Sequence, residues 1–323
     1  MGRRHAENLR RLVPRAELVA VADSNLVRAR QVAEELEIEQ AYETAQGLVD
    51  RKDIQAVVIA SPPATHPDCV LAAAAAGKHI FCEKPLALTL EAADEALEAV
   101  ASRKQQFQIG HMRRYDPLYA QAMKHIEGGE IGDPVIFKAI GRDAEAPPMS
   151  YFESKLNGNL FLDSSIHEFD LARWLMRDEV AEVHAFAASR AMPELAEREE
   201  FDSGVVNLRF ARGAIGNVES FMNARYAYDV RTEIVGTKGT LLIGSPHGTA
   251  LEVLTEEGSR RDRVRHWLVR FADAYLAEMR DFTDSVLLSR PTRVTGHDGR
   301  QSLALALAAE RSFREHKPIA LLN

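Results

Sequence analysis

Lys84, Asp163 and His167 are the residues of this chain whose types and surroundings suit acid/base chemistry. Lys84 lies in H-I-F-C-E-K-P-L (residues 79–86), an apolar run stopped by Glu83-Lys84-Pro85. Proline fixes its own φ, lacks an N–H and pushes the residue before it toward extended backbone. Lys84 is therefore expected at the carboxyl end of a buried strand, where open α/β sheets hold their ligands. An ordinary solvated lysine fits the same pattern. Asp163 and His167 stand four residues apart, with Asp170 three further on, in a segment whose Leu162, Ile166, Phe169 and Trp174 read as the core face of a helix. On a helix the three polar residues share one stripe. A carboxylate beside an imidazole orients the ring and holds its charged form, as a general acid/base near neutral pH requires. The same spacing suits half of a metal site or a surface ion pair.

The elements that must position these groups follow from periodicity. An amphipathic helix with Leu9, Leu12 and Val13 ends at Pro14, and an apolar strand over 17–23 ends in Asp23. Ser24 is the expected N-cap of a helix reaching Leu36. Helix, strand and terminal acid form the second part of a dinucleotide-binding βαβ unit, in which the acid follows the last glycine by about 20 residues and accepts hydrogen bonds from the ribose hydroxyls. Gly2 and Asp23 have that spacing. The first strand and first two glycines of G-x-G-x-x-G do not precede Gly2. About 10 to 15 residues, one strand plus one turn, are expected ahead of Met1 in the native protein; without them two neighbouring strands lack a partner.

Alternation continues with a strand at 40–42, a helix at 44–49 and a strand at 56–60 that opens onto Ser61-Pro62-Pro63-Ala64-Thr65-His66. Prolines stiffen this loop and Thr65 is a candidate cap for the helix running to 76, so its N–H groups could face an anion or a nicotinamide. A helix over 90–102 and a strand over 106–110 complete a doubly wound parallel sheet. Past Gly110 the pattern changes. A helix to Glu127 and a glycine-rich turn lead to strands over 135–140, 183–189, 203–210, 214–221, 231–235, 240–243 and 250–254, a large and mainly antiparallel sheet. Helical periodicity returns over 264–288 and 300–315.

The expected fold is thus an α/β Rossmann domain, its first strand missing, plus an α+β C-terminal domain. Dinucleotide binding is assigned to residues 1–110, and substrate binding and oligomerisation to 111–323, with the C-terminal helices packing back on the first domain. The 323 residues fit two domains, and 40 basic against 48 acidic residues give a net charge of −8, which argues against a nucleic-acid partner. The two cysteines, Cys69 and Cys82, suit a reducing compartment. The longest apolar run, 70–76, is too short to span a membrane, and the charged start does not resemble a signal peptide. A cytoplasmic protein is expected.

Glu83-Lys84-Pro85, the Asp163–His167 helix and the glycine-rich turn at 128–134 together resemble the Gfo/Idh/MocA family of NAD(P)-dependent oxidoreductases. Within it, GHMRRYDP (110–117), GRDAEAPPMSY (141–151) and YAYDVRTEIVGTKG (226–239) are similar to the inositol 2-dehydrogenase branch. Gly141 departs from the serine common in that branch. The resemblance implies that Lys84 hydrogen-bonds the reacting hydroxyl and the nicotinamide, that His167 takes the hydroxyl proton, and that Asp163 binds substrate and tunes His167. It further implies substrate contacts from Arg114, Asp170 and one of Tyr226 or Tyr228. The cofactor contacts assigned are Gly2, Asp23, Ser61, Pro62, Thr65, His66, Glu83 and Lys84, with no metal. A carboxylate at Asp23 favours free ribose hydroxyls, hence NAD over NADP, with Arg28 the nearest opposing cation. The activity implied is oxidation of a ring hydroxyl of a cyclic polyol, myo-inositol first, with scyllo-inositol or an aldose as alternatives. A non-catalytic nucleotide-binding protein is the rival from another class. A homo-oligomer, a tetramer, is implied as well.

Overall fold

The computed structural model describes residues 1–101, 103 and 105–321. In chain order the elements begin α1 (Gly2–Leu12), β1 (Ala20–Ala22), α2 (Leu26–Glu35), β2 (Gln40–Tyr42), α3 (Ala45–Val49), β3 (Ala56–Ile59), α4 (His66–Ala75), β4 (His79–Glu83), α5 (Leu90–Ala101) and β5 (Phe107–Gly110). There follow α6 (Pro117–Glu127), β6 (Pro134–Arg142), α7 (Met149–Glu153), α8 (Ile166–Met176), β7 (Val180–Ala188), β8 (Ser203–Phe210), β9 (Ile215–Phe221), β10 (Asp229–Gly236) and β11 (Thr240–Ile243). Last come β12 (His247–Thr255), β13 (Gly258–Arg263), α9 (Trp267–Arg270), α10 (Ala272–Leu287), α11 (Gly296–Glu315) and β14 (Ile319–Ala320). The chain divides into two units, Met1–Tyr115 with Asp273–Leu303, and Asp116–Ala272 with the stretch from Ala304 on.

In the first unit every strand pairing is parallel, but the sheet is in two pieces, β1-β2 and β3-β4-β5. Among the described residues no strand joins β1 to β3. Strand β4 is central in its piece, and Ile80, Phe81 and Cys82 are each 0% exposed; burial on both faces is why it reads as an unbroken apolar run. Phe81 packs with Val13, Met279 and Phe282, so α10 covers this strand together with the end of α1. Two expected caps are different in the structure. The N-cap of α2 is Asn25 rather than Ser24, its Oδ1 accepting from the N–H groups of Val27 and Arg28. Thr65 precedes α4 but its hydroxyl does not cap the helix. The expected end of the following helix at 102 lies outside the described residues.

The second unit is built on a seven-stranded sheet in the order β11-β10-β6-β9-β8-β7-β14, antiparallel throughout apart from the parallel pair β6-β9. Strand β8 shows why it lies flat on a core. Gly204, Val206, Leu208 and Phe210 are buried while Val205, Asn207 and Arg209 are exposed, the alternation of a strand with one face covered. Helix α8 covers that face with Ile166, Phe169, Leu171, Ala172 and Leu175, all 0% exposed. The hairpin β12-β13 stands apart from the main sheet. Its second strand, G-S-R-R-D-R, is exposed throughout and lacks the apolar alternation by which strands are found in a sequence. The helical run expected over 264–288 is two helices, α9 and α10, broken at Phe271, whose φ of −113° leaves the helical region.

Candidate active site

In the first unit the candidate groups cluster at carboxyl ends of the parallel strands. Beyond β1, the Asp23 carboxylate accepts the Asn25 N–H at 2.8 Å on one oxygen and lies 3.4 Å from the Arg28 guanidinium on the other. Gly2 opens α1. Beyond β3, Pro63–Thr65 forms a single 3₁₀ turn in which Thr65 Oγ1 lies 2.7 Å from Ser61 Oγ and 2.8 Å from the Pro62 carbonyl. His66 is 1% exposed, with Nδ1 2.7 Å from the Pro85 carbonyl and Nε2 2.8 Å from the Ser61 carbonyl. Burial lowers the affinity of this imidazole for a second proton, against the pull of the two carbonyls. The ring thus lies between the Ser61 loop and the segment after Lys84, and as a neutral imidazole it donates to only one of the two carbonyls.

Beyond β4, the Glu83 carboxylate is buried, and Lys84 leads through a cis peptide into Pro85. Arg114 lies in a buried 3₁₀ turn, Met112–Tyr115, and donates from Nη2 to Asp298 Oδ1 at 2.9 Å. Burial opposes ionisation of Asp298, but the Arg114 charge and the bonds from Thr295 overcome it and hold the carboxyl at about 2. This donor set suits a dinucleotide: a carboxylate beyond β1 for a diol, a stiff loop beyond β3 and a lysine beyond β4.

In the second unit, Asp163 and His167 do not lie on one continuous α-helix, as the sequence spacing suggests. Phe161–Ser165 is a π-helical turn, and α8 starts at Ile166. Such turns shift the register of the side chains and recur at functional sites. Three contacts press the turn and α8 onto the sheet. A Cβ on Gly204 would lie 2.6 Å from Phe161 Cε1, a Cβ on Gly141 2.6 Å from Glu168 Oε1, and Ser165 Oγ meets Ser220 Oγ at 2.7 Å. At Gly141 the space a side chain would take is occupied by the Glu168 carboxylate. Asn159 fixes the entry, its Oδ1 accepting from the N–H groups of Phe161 and Leu162 at 3.0 and 3.3 Å. His167 is 8% and Asp170 1% exposed.

Tyr226 and Tyr228 have different surroundings. The Tyr226 hydroxyl donates to Asp229 and accepts from Arg142 Nη1 at 3.0 Å, while Arg231 donates to both oxygens of Asp229 at 2.9 and 3.0 Å. Tyr228 is buried, edge-on to Phe271 with ring centroids 6.2 Å apart.

Two residues near this helix escaped sequence reasoning. Tyr151, on α7, is hydrogen-bonded to Asp163; burial first, then that carboxylate, push its phenol far above the usual range. Asp143 accepts from Ser164 Oγ at 3.3 Å. Both lie in the segment 141–151 quoted for its resemblance, without a role given to either, and the Pro147-Pro148 pair in it starts α7, with Pro148 as its N-cap.

The chain matches known proteins along nearly its whole length. It is 37% identical over 321 residues, 99% of this chain and 93% of the relative, to scyllo-inositol 2-dehydrogenase (NAD(+)) of Bacillus subtilis. It is 35% identical over 322 residues, 99% and 96% of the two chains, to myo-inositol 2-dehydrogenase of Thermotoga maritima. Scyllo-inositol dehydrogenase of Lactobacillus casei, solved with bound NAD(H) and scyllo-inositol, superposes with a TM-score of 0.93 at 33% identity, covering 99% of this chain and 95% of that one. The NAD-binding Rossmann domain of the Gfo/Idh/MocA oxidoreductases matches residues 1–111 and their C-terminal alpha/beta domain residues 123–321, so the chain belongs to the Gfo/Idh/MocA family of NAD-dependent oxidoreductases.

Proposed function

We propose that this chain oxidises a ring hydroxyl of a cyclic polyol, myo-inositol first, to the ketone, with NAD bound by the first unit and the polyol by the second. The observation that carries the reading is the set of half-buried Asp163 with buried His167 and Asp170, carried on α8 and the π turn before it, in a chain of this family. When bound, NAD supplies the hydride acceptor. Asp23 would hold the ribose diol; Gly2, Ser61, Pro62, Thr65, His66 and Glu83 shape the remaining contacts. A secondary alcohol releases hydride only as its proton leaves, so a base must stand within about 2.6 to 3.2 Å of that oxygen. His167 is that base, Asp163 orients it, and Lys84 donates to the reacting oxygen. Asp170, Arg114 and one of the tyrosines pair other hydroxyls, because each buried polar group left unpaired costs about 1 to 3 kcal/mol. Relatives named for scyllo- and for myo-inositol match almost equally, which keeps scyllo-inositol as the second substrate.

The test is NAD reduction with myo-inositol, scyllo-inositol and glucose, for the wild type, Lys84→Met and His167→Ala. Turnover of an inositol and a loss of kcat of about 10² to 10⁴ in both variants are expected. Turnover of glucose alone would remove the inositol assignment, and unchanged kcat in the variants would remove the roles of Lys84 and His167.

The exposed Phe186, Ile215 and Leu242 on one face of the seven-stranded sheet support a homo-oligomer, and the family resemblance makes it a tetramer. The protein works in the cytoplasm, in keeping with its two free thiols, Cys69 and Cys82. No helix among the described residues is long and apolar enough to cross a membrane.

A further inference from the structure

Three ionisable side chains are buried together in the first unit, and none of them takes part in the proton transfer described above. His5, on the first turn of α1, is 1% exposed; Glu83, at the end of β4, is 6%; Glu278, on α10, is 0%. Their nitrogen and oxygen ligand atoms lie within 4.8 Å of one another. His5 Nε2 and Glu83 Oε1 are 2.6 Å apart, a direct hydrogen bond across 78 positions of sequence. The other oxygen of Glu83 accepts the backbone N–H of Lys84 at 3.3 Å. One carboxylate thus binds the start of α1 on one side and the peptide of Lys84 on the other. Phe81 and Tyr275 close the imidazole in edge to face, at 5.2 and 6.0 Å between ring centroids.

Charge balance fixes the state of the group. Two carboxylates beside one imidazole in a dry core cannot both be charged at tolerable cost. Burial works against Glu83 as an anion, but the bond and charge of His5 and the charge of Lys84 more than offset it. Burial and the Glu83 charge together push Glu278 well above the usual carboxylate range. Both Glu278 side-chain oxygens have no hydrogen-bond partner among the described residues. A bound cation would need its ligand atoms further apart than the 2.6 Å between His5 and Glu83, since two atoms each about 2.0 to 2.2 Å from a tetrahedral ion stand well over 3 Å apart.

We propose that His5 and Glu83 are positioning residues for Lys84: the buried His5–Glu83 bond ties the first turn of α1 to the lysine peptide and so sets where the ammonium is presented. Glu278 closes the group as its neutral third member. The inference rests on the role given to Lys84 above. The link joins the helix that opens at Gly2, on the cofactor side, to the catalytic lysine, all within the first unit.

The test compares wild type, Lys84→Met, His5→Ala and Glu83→Gln in steady-state NAD reduction with myo-inositol. Alongside, the ¹³C-methyl resonance of reductively methylated Lys84 is recorded, assigned by its absence in Lys84→Met. Near-UV circular dichroism identifies variants that keep the native fold, and His5→Gln replaces His5→Ala if the latter does not. The expected result is a kcat lowered about 10- to 100-fold in the His5 and Glu83 variants, with KM for the polyol within about threefold of wild type and a shifted Lys84 resonance. Glu83→Gln, which keeps one acceptor oxygen, should be the milder of the two. If Lys84→Met itself retains turnover, the role of Lys84 fails, and the resonance alone decides whether the link positions the side chain. If Lys84→Met is inactive while kcat and the resonance are unchanged in the other variants, the positioning role is overturned. Stoichiometric zinc or manganese in the purified protein, measured by plasma mass spectrometry, would also overturn it, because the metal would replace the direct His5–Glu83 bond.

Discussion

Half-buried Asp298 and fully buried Glu278 are acids of the first unit whose environments act in opposite directions, and each leaves its own mark on stability. Asp298, held at about 2 by Arg114 and Thr295 against the penalty of burial, binds fewer protons folded than unfolded. Its contribution is complete above the unfolded value near 3.9 and is lost as pH falls through about 2. Asp298→Asn should therefore cost about 2 kcal/mol at pH 7 in urea unfolding, with the difference shrinking toward pH 2. Glu278 is shifted upward by burial and by the charge of Glu83, with the His5 imidazole the third ionisable group beside them. It binds more protons folded than unfolded, so it lowers stability progressively as pH rises above the unfolded value near 4.3. Glu278→Gln, neutral and of the same shape, should unfold at higher urea than wild type at pH 8 and at nearly equal urea at pH 4. A constant difference across that range would mean that Glu278 is ionised in the folded protein.

The turn before α8 shows what an element adds to the residues it carries. Asp163 and His167 stand out in the sequence as candidates because a carboxylate four residues before an imidazole in an amphipathic run is visible there. The π turn was not, because it is set by tertiary contacts: Phe161 against Gly204, Ser165 on Ser220 and Asn159 on two N–H groups. Tyr151 and the His5–Glu83 bond were hidden for the same reason, since each partner is chosen by the fold and not by spacing. The parallel strands of the first unit were legible from their apolar runs. So were Ser203–Phe210 and Thr240–Ile243, which fall at their expected limits. Cap choice was not, since Ser24 and Asn25 are both good caps and the Asp23 carboxylate takes the Asn25 N–H. The contact at Gly204 gives a prediction for the element. Phe161 is 0% exposed, so its ring cannot swing away from a new methyl 2.6 Å distant. Gly204→Ala should destabilise the protein by about 1 to 3 kcal/mol and, by displacing the π turn, lower kcat. Wild-type stability together with wild-type kcat would mean that the turn repacks without moving Asp163.

At the scale of the whole molecule the open face of the seven-stranded sheet carries the argument. Phe186 on β7 stands across from Val205 on β8, and Val205 across from Glu219 on β9. Phe186 is 60%, Val205 38%, Ile215 55% and Leu242 78% exposed, although strands that face water on one side are normally polar there. Polar pairs interrupt the patch, among them Asn217 donating to Asn207 at 2.8 Å and Lys138 to Glu233 at 3.2 Å. Apolar anchors among self-sufficient polar pairs are the composition of a subunit interface, which needs about 800 Å² per partner for a stable complex. A second copy of the chain is the occupant proposed. Light scattering on the eluting protein should give a multiple of the 35.9 kDa chain mass. The double variant Phe186→Asp, Ile215→Asp changes only exposed side chains on this face. It should shift the protein toward the single-chain mass while the far-UV circular dichroism stays native, because a buried charge without a partner costs several kcal/mol at an interface and nothing comparable in water. A wild type at the single-chain mass across the micromolar range would remove the oligomer, and an unchanged assembly in the variant would move the interface to another face.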